Sequence, residues 1–103
     1  METSIRRLRD VKSHGSLTSE MVSNEVEFLS ETLGNLRDAG EISNDAYLDA
    51  GSIQGGLNLV ASLLEQEVSD YEIIMQLEQL TERAGRISDN YPQMDGKIEG
   101  CRV

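Results

Sequence analysis

The sequence predicts an all-α protein: an antiparallel up-and-down bundle of three long helices, with a short N-terminal helix or arm, that is expected to form oligomers. Three observations support this prediction. Apolar residues recur at alternating steps of three and four in three segments, about 18–39, 44–67 and 70–91. A side chain suited to helix capping stands at the start of each segment, and the connections are only a few residues long. The 103 residues correspond to one domain.

The N-terminal segment, residues 1–15, is predicted to be a basic arm or a short helix. Ile5, Leu8 and Val11 would share one side, and His14-Gly15 would end the helix. A helix of this length is marginal by itself, so we expect it either to dock on the bundle or to stay mobile. The basic side chains of this arm are Arg6, Arg7, Arg9 and Lys12.

The first long helix is expected to begin at Thr18 or Ser19, either of which can cap it. Its apolar seam consists of Val22, Val26, Leu29, Leu33 and Leu36. Four acidic residues fall on the opposite side at helical spacing, and we call them the acidic stripe: Glu20, Glu27, Glu31 and Asp38. The pattern predicts one aliphatic face and one acidic face.

The central helix contains the most unusual stretch, the fifteen uncharged residues 50–64 in a chain that is 27% charged. The stretch is too short and too polar to span a membrane. Each glycine inside a helix costs about 1 kcal/mol relative to alanine, so the glycines need a reason. Two interpretations remain open: the helix breaks at Gly55-Gly56, or small residues allow close helix packing or self-association. The second interpretation assigns the contact to Gly51, Gly55, Leu59, Ser62 and Leu63.

The third long helix has the clearest start signal. Ser69 and Glu72 form a capping box, with Val68 and Ile73 at the hydrophobic-staple positions. Pro92 is expected to stop this helix. Residues 92–103 contain two glycines and no clear period, so they are predicted to be a flexible C-terminal tail.

The net charge of −10 is unevenly distributed. Residues 15–82 hold fourteen acidic side chains against Arg37 alone, whereas both ends of the chain are mildly basic. An acidic body favours basic protein partners and disfavours nucleic acids and anionic membranes, although the acids could also serve solubility alone. A single cysteine, Cys101, excludes an intramolecular disulfide, and no signal peptide is recognised, so a cytoplasmic location is expected.

The search for catalytic chemistry finds little. His14 is the only histidine and lies in a predicted break, where a solvated side chain is the usual role. The sequence has neither the ligand set of a zinc site nor the glycine and lysine spacing of a phosphate-binding loop. We therefore predict no enzyme activity, no cofactor and no metal.

The leading hypothesis is a non-enzymatic protein-binding module of the adaptor, inhibitor or antitoxin type. It would act on a basic, nucleic-acid-handling partner and form a homodimer. The first alternative is an assembly protein whose role is self-association, with the charge serving solubility. A further alternative is a dimeric nucleic-acid regulator that uses the basic arm.

Overall fold

The computed structural model describes residues 1–102, and this part of the chain is all-helical, with 80% helix and no strand. Its helices pack against one another, which confirms the all-α prediction. In chain order they are α1 (Glu2–Ser13), α2 (Ser19–Asp38), α3 (Asn44–Glu65), α4 (Asp70–Asn90) and α5 (Met94–Gly100).

Side-chain caps fix the starts of the three long helices. The hydroxyl of Thr18 accepts a hydrogen bond from the amide of Met21, and Ser43 caps α3 in the same way. Ser69 accepts from the amide of Glu72, which forms one half of the predicted capping box. Each cap satisfies an N–H group that has no partner within its own helix, so these starts are determined by local sequence.

The core lies along α3, which packs against both α2 and α4. The apolar period of the sequence predicts a seam of six residues along α3, and all six are buried or half-buried: Ala46, Ala50, Ile53, Leu57, Val60 and Leu64. Four of them, Ala50, Ile53, Leu57 and Val60, have no measurable exposure. Leu29 and Leu33 of α2 and Ile73 and Leu77 of α4 lie in the same cluster. One apolar face of α3 is therefore shared by two neighbouring helices.

The helix α3 is continuous through Gly55-Gly56, so the interpretation as a break is wrong. Close packing does occur, but at Gly56. An ideal Cβ on Gly56 would lie 2.2 Å from Cδ2 of Leu80, a buried residue of α4. Around Gly51 and Gly55 an added Cβ would meet nothing within 4 Å. The assignment of close packing to Gly51 and Gly55 is therefore not correct for contacts within the chain.

The structure differs from the sequence-based expectation at the C-terminus. Where a flexible tail is predicted over 92–103, residues 94–100 form α5. Met94 and Ile98, four residues apart, place two buried side chains on one face of this two-turn helix. A helix with only two large apolar residues gives too short a pattern to register as periodic, and its order depends on what it packs against.

Helices α1 and α5 pack against each other at the edge of the long helices. Helix α1 also contacts α4, and α5 also contacts α2. Ile5 and Leu8 of α1 are buried, and Lys12 forms an ion pair with Asp70 at 2.6 Å. The two terminal segments thus extend the apolar core that the long helices share.

We expect opposite effects from adding a methyl group at two helical glycines. Neither has a positive φ. Gly34→Ala, where an added Cβ meets nothing, should raise the free energy of unfolding by up to about 1 kcal/mol through helix propensity. Gly56→Ala should lower it by about 1–3 kcal/mol, because Leu80 must move within a packed core. Urea unfolding of both variants measures this, and a stabilised Gly56→Ala protein would contradict the close contact.

Candidate interaction surfaces

The acidic stripe lies on the solvent-exposed side of α2. All four of its residues are exposed. Asp38 is paired with its neighbour Arg37 at 3.1 Å, whereas Glu20, Glu27 and Glu31 form no salt bridge with any cation in residues 1–102. Three carboxylates on one face of α2, two turns and then one turn apart, therefore present an uncompensated negative charge.

The outward side of α3 has a different character. We call it the outer face of α3, and it consists of Leu48, Gly51, Gly55, Leu59 and Ser62, all of them exposed. Leu48 is 63% exposed and Leu59 is 46% exposed. No member of this face carries a charge, so four turns of exposed helix in an acidic protein lack the charged side chains that normally cover such a surface.

The structure changes one sequence-based assignment for this face and adds one residue to it. Leu63 is half-buried and packs against the core, so it belongs to the bundle interior as much as to the surface. Leu48 was not among the predicted residues although it is the most exposed leucine of the face. It lies seven residues before Gly55, and this spacing of two helical turns could have identified it.

The basic arm is helix α1, and its charges are divided. Arg6, Arg7 and Arg9 are exposed, and Arg9 lies 3.4 Å from the hydroxyl of Thr81 on α4. Lys12 is engaged with Asp70. The four cations therefore do not form one continuous basic patch.

A groove between α1 and α2, which the sequence reasoning missed, has a volume of about 700 Å³. Leu8 and Val11 of α1 and Phe28 of α2 supply apolar lining, and Cys101 and Arg102 also line it. No sequence pattern identifies the groove, because its two sides lie side by side only when α1 has packed on α4 and α5 has packed on α2.

Arg102 anchors the segment that follows α5 to this groove. Its guanidinium donates to Glu25 at 2.6 Å and to Glu99 at 2.9 Å, and it lies 4.1 Å from the centroid of the Phe28 ring. Burial by itself raises the pKa of Glu25, but hydrogen bonds from Arg102 and Ser4 and the charge of Arg102 outweigh it, so the pKa is lowered. These bonds fix α5 against α2.

A second polar contact joins the two terminal helices. The N-terminal ammonium of Met1 and the hydroxyl of Thr3 both donate to the carboxylate of Asp95. Burial alone raises the pKa of Asp95, but these hydrogen bonds and the backbone N–H of Thr3 lower it overall. The start of α1 is thereby held on the first turn of α5.

The described residues offer little for catalysis or metal binding. Within residues 1–102 no group of three or more His, Cys, Asp or Glu side chains is placed to hold a metal ion. His14 is exposed, and its Nδ1 lies 2.7 Å from the carbonyl oxygen of Asp10. None of the helices described here is long and apolar enough to cross a bilayer.

Comparison with protein families, with curated proteins and with solved structures finds no match for this chain.

The lowered pKa values of Glu25 and Asp95 predict a pH dependence. A carboxylate whose pKa is lower in the folded state adds stability above its unfolded pKa, near 4.5 for Glu25 and 3.8 for Asp95, and this stability is lost as the pH falls through the folded value. The double variant Glu25→Gln/Asp95→Asn should be less stable than wild type at pH 7. The difference should shrink between about pH 5 and pH 3.

The measurement is the melting temperature across this pH range for wild type, the double variant and the control Glu27→Gln/Glu31→Gln. The control removes two negative charges from exposed positions. It therefore shows how much of the change in melting temperature comes from weaker repulsion among the acidic side chains, and how much from loss of the Glu25 and Asp95 contacts. A constant difference between wild type and the double variant at all pH values would contradict the prediction.

Proposed function

We propose that this protein is a non-enzymatic protein-binding module that pairs with a second copy through the outer face of α3 and presents the acidic stripe of α2 to a basic partner. The observation that carries the proposal is the exposed, charge-free outer face of α3.

The finer architecture that we propose is an antiparallel up-and-down arrangement of α2, α3 and α4. It is supported by the hydrogen bond from Ser19, at the start of α2, to Glu65, at the end of α3.

The glycines support the proposed pairing. Within the chain, nothing contacts the positions where Gly51 and Gly55 would carry a Cβ, so their cost of about 1 kcal/mol each has no internal compensation. A second helix that crosses at this point could approach closely, because the two glycines lie one turn apart on the same face. Leu48 and Leu59, on either side of the glycines, would then lose exposed apolar surface.

Charge favours a second copy as the occupant of this face. Two molecules with a net charge of −10 repel each other over most of their surfaces. The outer face of α3 is a surface where that repulsion is weakest, and an uncharged face is complementary to itself. A twofold dimer needs such a self-complementary patch.

The acidic stripe supports the second part of the proposal. Glu20, Glu27 and Glu31 lie on α2, away from the outer face of α3, so pairing through α3 leaves them accessible. Their charge is not compensated by a cation of residues 1–102, so a basic partner would gain attraction, above all in its rate of association. A cytoplasmic setting is proposed as well, since exposed Cys101 would remain a thiol there.

We expect Gly55→Leu to convert a wild-type dimer into a monomer, because a leucine side chain would separate the two helices. The measurement is molar mass by light scattering on a size-exclusion column. Two controls test the reason: Gly55→Ala should weaken the dimer less, and Glu78→Leu, which adds a leucine to the exposed side of α4, should leave the mass unchanged. A monomeric wild type, or a dimeric Gly55→Leu protein, would show that α3 is not the interface.

We expect charge reversal of the acidic stripe, Glu20→Lys/Glu27→Lys/Glu31→Lys, to abolish capture of basic proteins from a cell extract at moderate salt. The matched control is Glu72→Lys/Glu78→Lys/Glu82→Lys, which changes the net charge equally at exposed positions of α4. If capture depends on the acidic stripe, the α4 control variant should still capture the basic proteins. Equal loss in both variants would mean that only the overall charge matters, and no loss in either would reject the acidic stripe.

A further inference from the structure

The groove between α1 and α2 is elongated, and part of its lining is apolar. Along α2 it runs from Met21 to Asn35, a stretch of fifteen residues that rises by about 21 Å. Apolar side chains from both helices line it, namely Leu8, Val11, Met21 and Phe28. Met21 is 44% exposed, so part of this apolar lining is open to solvent.

The two sides of the groove differ in charge. Along α2 the rim carries Glu31, and the other carboxylates of the acidic stripe continue on the same face of α2. On the α1 side Arg7 lines the groove. Arg102 lines it as well, but it is paired with Glu25 and Glu99, so it adds little repulsion toward a basic ligand. The α2 side is therefore negative and the α1 side positive, so the basic edge of a ligand would face α2.

We propose that this groove binds an amphipathic helix of about fourteen residues from a partner protein, with an apolar stripe in the groove and lysine or arginine along the edge that lies on α2. Its length matches the groove, its apolar stripe matches the exposed lining, and its basic edge matches Glu31 and the acidic stripe. A helix laid into a hydrophobic groove is a recurrent mode of recognition. The inference rests on the proposed function in one respect: it specifies the form of the basic partner.

The groove is preorganised for such a ligand. Arg102 is held by two carboxylates and lies over the ring of Phe28, so this part of the groove is fixed before any partner arrives. The α1 side is fixed by the packing of Ile5 and Leu8 in the core and by the ion pair between Lys12 and Asp70. A rigid groove loses less entropy on binding than a flexible one.

The test uses a synthetic fourteen-residue amphipathic leucine–lysine peptide as the probe, with a leucine–glutamate peptide of the same pattern and a scrambled leucine–lysine peptide as controls. The single cysteine, Cys101, is exposed and lies at the groove, so an environment-sensitive dye attached to it reports occupancy. We expect a saturable dye response to the leucine–lysine peptide, at least ~10-fold weaker binding of the scrambled peptide and none of the acidic one.

Two matched variants localise the binding. Met21 and Ile74 are equally exposed, at 44%, but Met21 lies in the groove and Ile74 lies on α4 outside it. Met21→Lys and Ile74→Lys change the net charge identically. We expect Met21→Lys to weaken binding of the peptide at least ~10-fold and Ile74→Lys to change it less than ~2-fold. Circular dichroism of both variants checks that they remain folded.

Each of the following outcomes would contradict the proposal that the groove binds an amphipathic helix from a partner protein. Equal affinities of Met21→Lys and Ile74→Lys, together with loss of binding in Glu20→Gln/Glu27→Gln/Glu31→Gln, would place the peptide on the acidic stripe alone, and the proposed function would survive without the groove. A dye response to rising protein concentration without peptide would assign the groove to a second copy. No response to the leucine–lysine peptide at low salt would reject the groove as a helix-binding site, whereas the capture experiment judges the acidic stripe independently.

Discussion

The shared apolar face of α3 is the constraint on which the rest of the structure depends. A single seam, from Ala46 to Leu64, is covered from two sides by α2 and α4. Because one seam serves two neighbours, α4 must approach closely, and Gly56 provides the space by leaving room for Leu80. The opposite side of α3 is left to solvent, and this is how the uncharged stretch 50–64 comes to have an exposed face.

The two ends of the chain extend the core jointly. Helix α1 has twelve residues and α5 has seven, so neither can cover a long helix by itself. They are held together by the contact of the Met1 ammonium and Thr3 with Asp95, and α5 is held on α2 by Arg102. These contacts join residues more than seventy positions apart in the sequence, so they depend on the packing of the long helices that lie between them.

The surface is divided into regions of different chemistry, and this division is the basis of the proposed function. The outer face of α3 is neutral and contains small residues, α2 carries the acidic stripe, and the groove beside it is partly apolar. An uncharged self-complementary patch and an acidic patch favour different partners, because the negative charge repels a second copy of this acidic chain and attracts a basic protein. One small domain could therefore pair with itself and still bind another protein.

The sequence by itself determined the long helices and their faces. Thr18, Ser43 and Ser69 set the starts through local hydrogen bonds, and the apolar period assigned the buried sides, because both effects act within a few residues along the chain. The exposure of Glu20, Glu27, Glu31 and Asp38 followed from the same period.

Only the tertiary structure decided which glycine packs closely, whether residues 94–100 are ordered, and where a groove lies. Gly51, Gly55 and Gly56 look alike in sequence, and the position of Leu80 distinguishes them. Helix α5 is too short to be stable without its buried contacts, and the groove exists between α1 and α2, which are not paired by any local pattern. Each of these features depends on distances between segments, which a periodic pattern along one segment does not contain.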